Sequence, residues 1–397
     1  MDNRAGQILD VKILAIIVAI VIAILAIFFG IVVTRGIEPI NGTASEISIQ
    51  GQKSAKNFKL EKGVAAVGTM NGGLFYTVGN DKMLPIASIA KVITILVVLD
   101  AKSFDDETFI EMTAADVERW RKTVSENGSN LQVVKGQRLS MRQILDGIML
   151  SSANNLSDGL AIWAFGSLAD YRLAAEKWLA ENSLENTKIG ADASGLDPGT
   201  VSTAADLIKI GRLAMQNPIL KQIVGQQTAN FPRLGKIENM NRLIGVGGFT
   251  GIKTGTTEEA GDGLLFANEY NSETIIGVVL HQDGNEKRFS ETKRFMNFVK
   301  NQLETLTLPA GSIAGYYSLP WGRVARVTVA DEIKIMAWAG SEIKPEININ
   351  PISEAFSKGD TVGEIVFGGK KSGLILVEDI EMPDAFWKLT NIDKLVF

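Results

Sequence analysis

The stretch Leu84-Pro85-Ile86-Ala87-Ser88-Ile89-Ala90-Lys91, running on through Val92 to Leu99, decides how the chain is read. From Ser88 to Leu99 only Ser88, Lys91 and Thr94 are not apolar. The β-branched residues Val92, Ile93, Ile95, Val97 and Val98 favour a strand, but the length of the run predicts a buried helix. On a helix, Ser88 and Lys91 share one face. A serine at a helix start is ordinarily a cap, and a lysine on an apolar helix ordinarily reaches out to water. If the amine is instead desolvated, its neutral form is favoured, and a neutral amine can take the proton of a nearby hydroxyl. The free N–H groups at the helix start suit a developing oxyanion. Ser88 and Lys91 are therefore a candidate nucleophile and base.

Two further polar clusters lie downstream. Ser152-Ala153-Asn154 follows an apolar segment that ends near Leu150. Ordinarily this is a turn between helices, yet its hydroxyl can relay a proton and its amide can hold a peptide group. Lys253-Thr254-Gly255-Thr256-Thr257 reads as part of a strand. Period two puts Lys253 and Gly255 on one face. Lys253 offers positive charge and would lower the proton affinity of a neighbouring Lys91. Gly255 leaves the strand bare for a substrate backbone, and Thr254 and Thr256 offer hydroxyls to a carboxylate.

Composition narrows the alternatives. The chain has 397 residues, 40 Lys plus Arg against 45 Asp plus Glu, a formal charge of -5, no cysteine and one histidine. Thiol chemistry, disulfides and paired-histidine zinc sites are excluded, and nothing basic invites nucleic acid. The lone His281 closes the apolar run Ile275, Ile276, Gly277, Val278, Val279, Leu280 and reads as a strand-end residue, so a hydrolase must find its base elsewhere. No cofactor or metal is expected.

Residues 13–33 form an uncharged apolar or small run of 21 residues. At a helical rise it spans about 30 Å, the thickness of a bilayer core. It is longer than the core of a cleaved signal and ends in Val33-Thr34-Arg35 without a small-residue cleavage site, so an uncleaved anchor is expected. Arg4 and Lys12 precede it and Arg35 follows, a weak orienting bias. The expected organisation is a stub and anchor over 1–35, a linker over 36–54, a catalytic domain over 55–307 and a small β domain over 308–397. Within it, a hairpin is expected at 63–69 and 73–78 around Met70-Asn71-Gly72. Helices are expected after the cap Ser140 with Gln143, over 155–180, over 203–215 before Asn217-Pro218, and over 290–303. Strands are expected at 251–256, 263–268 and 273–280, then at 325–329, 333–337, 346–349, 361–367 and 372–377. The tail 384–397 sets Phe386, Trp387, Leu389, Ile392, Leu395 and Val396 in a helix-compatible pattern that fits either a second membrane contact or a packed end.

The ordered set S-x-x-K, S-x-N and K-T-G resembles the penicillin-binding protein and serine β-lactamase superfamily, and within it the low-molecular-mass D-alanyl-D-alanine carboxypeptidases. The wording around the motifs is similar too: Leu84-Pro85-Ile86-Ala87-Ser88, Met149-Leu150-Ser151-Ser152-Ala153-Asn154-Asn155, Ala193-Ser194-Gly195-Leu196, and Thr250-Gly251-Ile252-Lys253-Thr254-Gly255. The resemblance runs from about Ile47 to the C-terminus. It implies an α/β (α+β) catalytic fold, an antiparallel sheet with a helical lobe, followed by a small all-β domain. It implies an acyl-enzyme on Ser88, Lys91 as base, Ser152 as proton relay to the leaving D-alanine, and Asn154 as a substrate holder. Lys253, Thr254, Gly255 and Thr256 would receive the substrate's terminal carboxylate and backbone, and the N–H groups of Ser88 and Thr256 would form the oxyanion hole. The substrate would be the peptidoglycan stem pentapeptide, outside the cytoplasm, with β-lactams as covalent inhibitors and membrane lipid as a further partner. A D,D-endopeptidase of the same family is the nearest alternative. A serine β-lactamase is disfavoured, because the segment Asp192 to Gly199 lacks a deacylating glutamate. An inactive cell-wall-binding relative would be expected to have lost Ser88 or Lys91, and both are present.

Overall fold

The computed structural model describes residues 3–70, 73–79, 82–103 and 108–396. Two compact units emerge: Gln52–Glu304 with Met336–Gly340, and Met1–Gly51 with Thr305–Ile335 and Ser341–Phe397. The second unit begins with helix α1 (Asn3–Thr34), whose stretch Val11–Thr34 is long and apolar enough to cross a membrane and is almost entirely exposed. A surface so apolar is stable only against lipid or another apolar body.

The larger unit is built on a five-stranded antiparallel sheet in the order Phe249–Thr257, Gly261–Tyr270, Glu273–Gln282, Val64–Thr69, Leu74–Gly79. Both faces are covered, so alternate residues enter two separate cores. Val64 and Ala66 join a core with Leu265, Ile276 and Val278, against α2 (Ala90–Ala101) and α7 (Ala204–Gln216). Ala65 and Val67 join another with Leu264, Phe266 and Val279, against α9 (Asn285–Gln302). The helical lobe comprises α3 (Ala114–Ser125), α4 (Met141–Met149), α5 (Asn154–Phe165), α6 (Leu168–Glu181) and α8 (Pro218–Val224). Helix α2 packs against α4, α5, α6 and α7, which explains its lack of a polar face. Burial on all sides outweighs the strand preference of its β-branched residues.

Several expectations need revising. The helix expected over 155–180 is two helices, because Gly166 takes a left-handed φ of 91° and Ser167 caps the next helix through Asp170 N–H. Asn217-Pro218 ends α7, but Asn217 also caps α8, with Pro218 at its first turn. Helix α9 starts at Asn285, five residues before the expected 290, after Gly284 with φ 100°. The hairpin Thr228–Phe231 with Gly235–Glu238 was not expected. The strands flanking Met70 pair as expected, while Asn71 and Gly72 lie outside the described residues.

The second unit holds a six-stranded antiparallel sheet in the order Thr43–Ala44, Ile313–Ser318, Val324–Val329, Lys370–Leu376, Thr361–Phe367, Glu346–Ile349. The stretch 36–54, read as a linker, supplies Thr43–Ala44 to this sheet and Ile49–Gln50 to a pairing with Glu342–Ile343. Its turn-rich composition concealed this, because short edge strands carry little pattern of their own. The tail forms α10 (Ala385–Thr390), capped by Asp384, and a short 3-10 turn, Ile392–Lys394.

The core beneath α9 is strongly aromatic. Phe295, fully buried, lies 5.1 Å from Phe58 and 6.5 Å from Tyr76, ring centre to ring centre, and Trp338 stacks on Tyr76 at 4.9 Å. Phe295→Ala should lower the unfolding free energy of this unit by about 3–5 kcal/mol. Urea unfolding followed by tryptophan fluorescence measures this, and a loss below about 1 kcal/mol would contradict the packing described.

Candidate active site

Ser88 lies in a 3-10 turn, Ala87–Ile89, that leads directly into α2. The preceding Ala87 has φ 47°, left-handed for a residue with a Cβ. Ser88 itself is partly exposed, so its hydroxyl is open to a ligand. One turn on, Lys91 is fully buried. Its Nζ lies 2.7 Å from Ser88 Oγ, 2.7 Å from Asn154 Oδ1 and 2.8 Å from the Ser194 carbonyl oxygen. Two of these three partners only accept hydrogen bonds. A neutral amine has two N–H bonds and one lone pair. With both N–H bonds spent on Asn154 and Ser194, the lone pair is left for the Ser88 hydroxyl.

Burial lowers the Lys91 pKa to about 7, while the carboxylates of Asp158 and Asp192 pull it back up. Lys253, also buried, lies well below the ordinary lysine value, first through desolvation and then through the charges of Lys91 and Arg288. Burial lowers Lys91 as the apolar helix implies, while the further lowering expected from Lys253 is not among the causes, because a lysine driven toward its neutral form exerts little field.

The segment that receives Lys91 is tightly held. The carboxylate of Asp192 accepts the N–H groups of Ser194, Gly195, Leu196 and Asp197 and the Ser194 hydroxyl. The Ala193 carbonyl accepts the hydroxyls of Thr94 and Ser157 at 2.7 Å each, and Ala193 N–H donates to Asp158 at 2.9 Å. Gly195, with φ 80°, is required here, since a Cβ would collide with the Ala87 carbonyl oxygen. Asp197 also binds backbone, accepting Ala191 and Gly199 N–H. Both acids of this segment are thus committed to its own shape.

Ser152 is buried and left-handed, with φ 59°. Such a conformation costs about 1–3 kcal/mol and persists where its surroundings fix it. Among the described residues Ser152 makes no hydrogen bond to Ser88 or Lys91. Asn154 opens α5 and orients Lys91, while its own N–H donates to the Ser129 carbonyl.

On the edge strand Phe249–Thr257, residues 251–255 are all buried, Lys253 and Gly255 among them. The reason for glycine differs from the expected one. A Cβ at Gly255 would lie 2.7 Å from the Ile86 oxygen and 3.2 Å from Ile89 N, so the glycine lets this strand close on the Ser88 turn. Thr254 is buried and Thr256 exposed. Thr256 Oγ1 donates to Asp262 at 2.8 Å and accepts from Arg288 Nη1 at 3.0 Å. Arg288, buried on α9, also donates to the Gly255 carbonyl at 3.2 Å and pairs with Asp262 at 3.1 Å, while its Nε has no partner among the described residues. Sequence reasoning missed Arg288. It stands beside Lys287 in a charged helix start, where nothing in the pattern separates a buried cation from a solvated one. His281, the penultimate residue of the strand Glu273–Gln282, has Nδ1 3.1 Å from the Ala260 oxygen, and among the described residues it bonds to neither Ser88 nor Lys91.

The D-alanyl-D-alanine carboxypeptidase family model matches residues 54–284. The chain belongs to this family. It is 24% identical over 340 residues to the D-alanyl-D-alanine carboxypeptidase DacF of Bacillus subtilis, covering 83% of this chain and 86% of that protein. It is 29% identical over 265 residues to a D-alanyl-D-alanine endopeptidase of Pseudomonas aeruginosa, covering 64% and 82%. In fold it is similar to a peptidoglycan synthesis regulatory factor (PBP3) of Streptococcus pneumoniae, with a TM-score of 0.64, 20% identity, and coverage of 81% of this chain and all of that one.

Asp192→Ala should cost about 2–4 kcal/mol, since it strips the acceptor from several backbone N–H groups at once. Thermal and urea unfolding measure it, and a change below about 1 kcal/mol would show that the segment holds its shape without this carboxylate.

Proposed function

We propose that the chain is a serine D,D-carboxypeptidase that removes the terminal D-alanine from peptidoglycan stem pentapeptides, with 55–307 as the catalytic domain. The observation that carries this reading is the contact of 2.7 Å between the buried Lys91 amine and Ser88 Oγ. Neutral Lys91 takes the hydroxyl proton as Ser88 Oγ attacks the carbonyl carbon of the penultimate D-alanine. The oxyanion is received by the N–H groups of Ser88 and Thr256. As the peptide C–N bond breaks, the proton passes from Lys91, by way of Ser152, to the departing amine. D-alanine leaves and an ester remains on Ser88. Water then attacks the ester, giving the shortened peptide acid and free Ser88. Asn154 holds Lys91 through Oδ1, which leaves its amide nitrogen for a substrate carbonyl. The terminal carboxylate of the substrate is bound by the hydroxyls of Thr254 and Thr256, oriented by Lys253 and with Arg288 behind Thr256. β-Lactams would acylate the same Ser88. The endopeptidase alternative differs only in the leaving group, a larger amine in place of D-alanine.

The test uses the full chain in detergent with a pentapeptide ending in D-Ala-D-Ala. D-alanine should be released, and the rate should rise with pH through about 7, because the protonated amine below that value has no lone pair. Ser88→Ala and Lys91→Arg should each cut the rate by about a thousandfold or more in folded protein. Full activity in Ser88→Ala would overturn the assignment. Release of a cross-linked peptide without release of D-alanine would favour the endopeptidase.

We further infer that α1 is an uncleaved single-pass anchor, that the catalytic domain lies outside the cytoplasm, and that the 308–397 region is a non-catalytic domain that meets the lipid surface. Support comes from the end of α1. Lys388 Nζ donates to the Val33 and Arg35 carbonyls at 2.9 and 2.7 Å, capping the helix at its exit. Beside it Trp321 and Trp387 pack at 5.7 Å and Phe386 is 75% exposed, the aromatic and basic mixture that favours headgroups. The chain has no cysteine, so Phe386→Cys carries one spin label in nanodiscs. The label should collide with lipid-soluble oxygen more often than with an aqueous nickel complex. The pattern given by Lys236→Cys, taken as a solvent reference, would contradict the lipid contact. Protease added to intact spheroplasts should digest the catalytic domain, and protection would reverse the topology.

A further inference from the structure

Asp158 is a partly buried carboxylate with no place in the mechanism above. It lies on α5 one turn beyond Asn154, so the same helix face carries the amide that holds Lys91 and a charge behind it. Its carboxylate accepts the N–H of Ala193 at 2.9 Å, and the next carbonyl, that of Ser194, receives Lys91. We propose that Asp158 is a positioning residue of this site: through Ala193 N–H it holds the backbone that receives Lys91, and it places a carboxylate behind the base. The proposal rests on the reading of Lys91 as the base for Ser88.

The surroundings define what this carboxylate can do. Asp192, on the receiving segment, faces both Asp158 and Lys91 with negative charge, and Arg119 of α3 faces Asp158 with positive charge. Arg119 is already engaged by Asp116 at 2.6 Å. Lys253 is near enough to Lys91 for the charge of Lys91 to lower its pKa. Asp192 is spent on its own backbone, so Asp158 is the carboxylate whose charge is not absorbed by a cluster of N–H donors. Burial and the neighbouring Asp192 raise the Asp158 pKa to about 6, and the charge on Lys91 lowers it. Between about 6 and about 7 both groups are charged, and each favours the charged form of the other. An acid placed here therefore delays the release of the free amine as pH rises. It keeps the base matched to near-neutral pH instead of letting burial drive it lower. No new bond is made in this role. The only event it governs is departure of the Lys91 proton to solvent before Ser88 attacks.

The experiment follows the rate at which Ser88 of the full chain, in detergent micelles, is acylated by a fluorescent penicillin from about pH 5 to about pH 9. Asp158→Asn keeps an oxygen for Ala193 N–H and removes the charge. Its acidic limb should move toward acid by about one pH unit, with the plateau rate changed less than about threefold. Asp158→Ser, shorter and also uncharged, should move the limb the same way and serves if the asparagine variant fails to fold. A limb that stays in place while the whole curve falls would reveal a merely structural residue and overturn the proposal, as would a shift toward alkali. A wild-type chain that is not acylated at any pH would instead overturn the assignment of Ser88 and Lys91, which keeps the two failures apart.

Discussion

One buried amine with three oxygen partners organises this molecule. Lys91 could not be fully buried in an apolar helix unless each hydrogen it carries met an acceptor, because a stranded charge or N–H in that setting is too costly. Each oxygen partner comes from a different part of the chain: Ser88 from the preceding turn, Asn154 from the start of α5, and Ser194 from the segment after α6. The sheet supplies a fourth boundary, where Gly255 lets the strand carrying Lys253 close on the Ser88 turn. The fold can therefore be read as the means of bringing these pieces to one nitrogen.

That arrangement explains features that otherwise look incidental. The left-handed residues Ala87 and Ser152 lie where the backbone must turn sharply to present Ser88 and to begin α5. Gly195 must be glycine because its neighbour is the Ala87 carbonyl. Asp192 and Asp197 spend their charge on backbone N–H groups of their own segment. This removes them as bases for deacylation and fits a carboxypeptidase better than a β-lactamase.

Much of the site was legible in the sequence because its chemistry resides in short motifs at fixed spacing. Ser88 with Lys91, Asn154 and Lys253 to Thr256 could be named before any coordinates, since an unusual lysine in an apolar helix is visible in one dimension. The sheet strands, the cap Ser140 and the stop at Asn217-Pro218 could be read for the same local reason. What could not be read depends on distant contact. Arg288 looks like its solvated neighbours until α9 packs beside the Lys253 strand. Asp158 looks like a surface acid until Ala193 arrives from another segment. The break at Gly166 is a matter of one φ angle in an otherwise helical pattern. The short strand Thr43–Ala44 exists only because Ile313–Ser318 gives it a partner.

Catalysis by Ser88 requires Lys91 to lose its proton near pH 7 while still held by Asn154 and Ser194. The most direct measurement is an NMR titration of the full chain carrying lysine labelled at Cε and Nζ, with the Lys91 signal assigned by its loss in Lys91→Met. A midpoint at about 7 is expected, displaced from the ordinary 10.5 by burial. A Lys91 signal that titrates near about 10, as an exposed lysine does, would contradict it and leave Ser88 without its base.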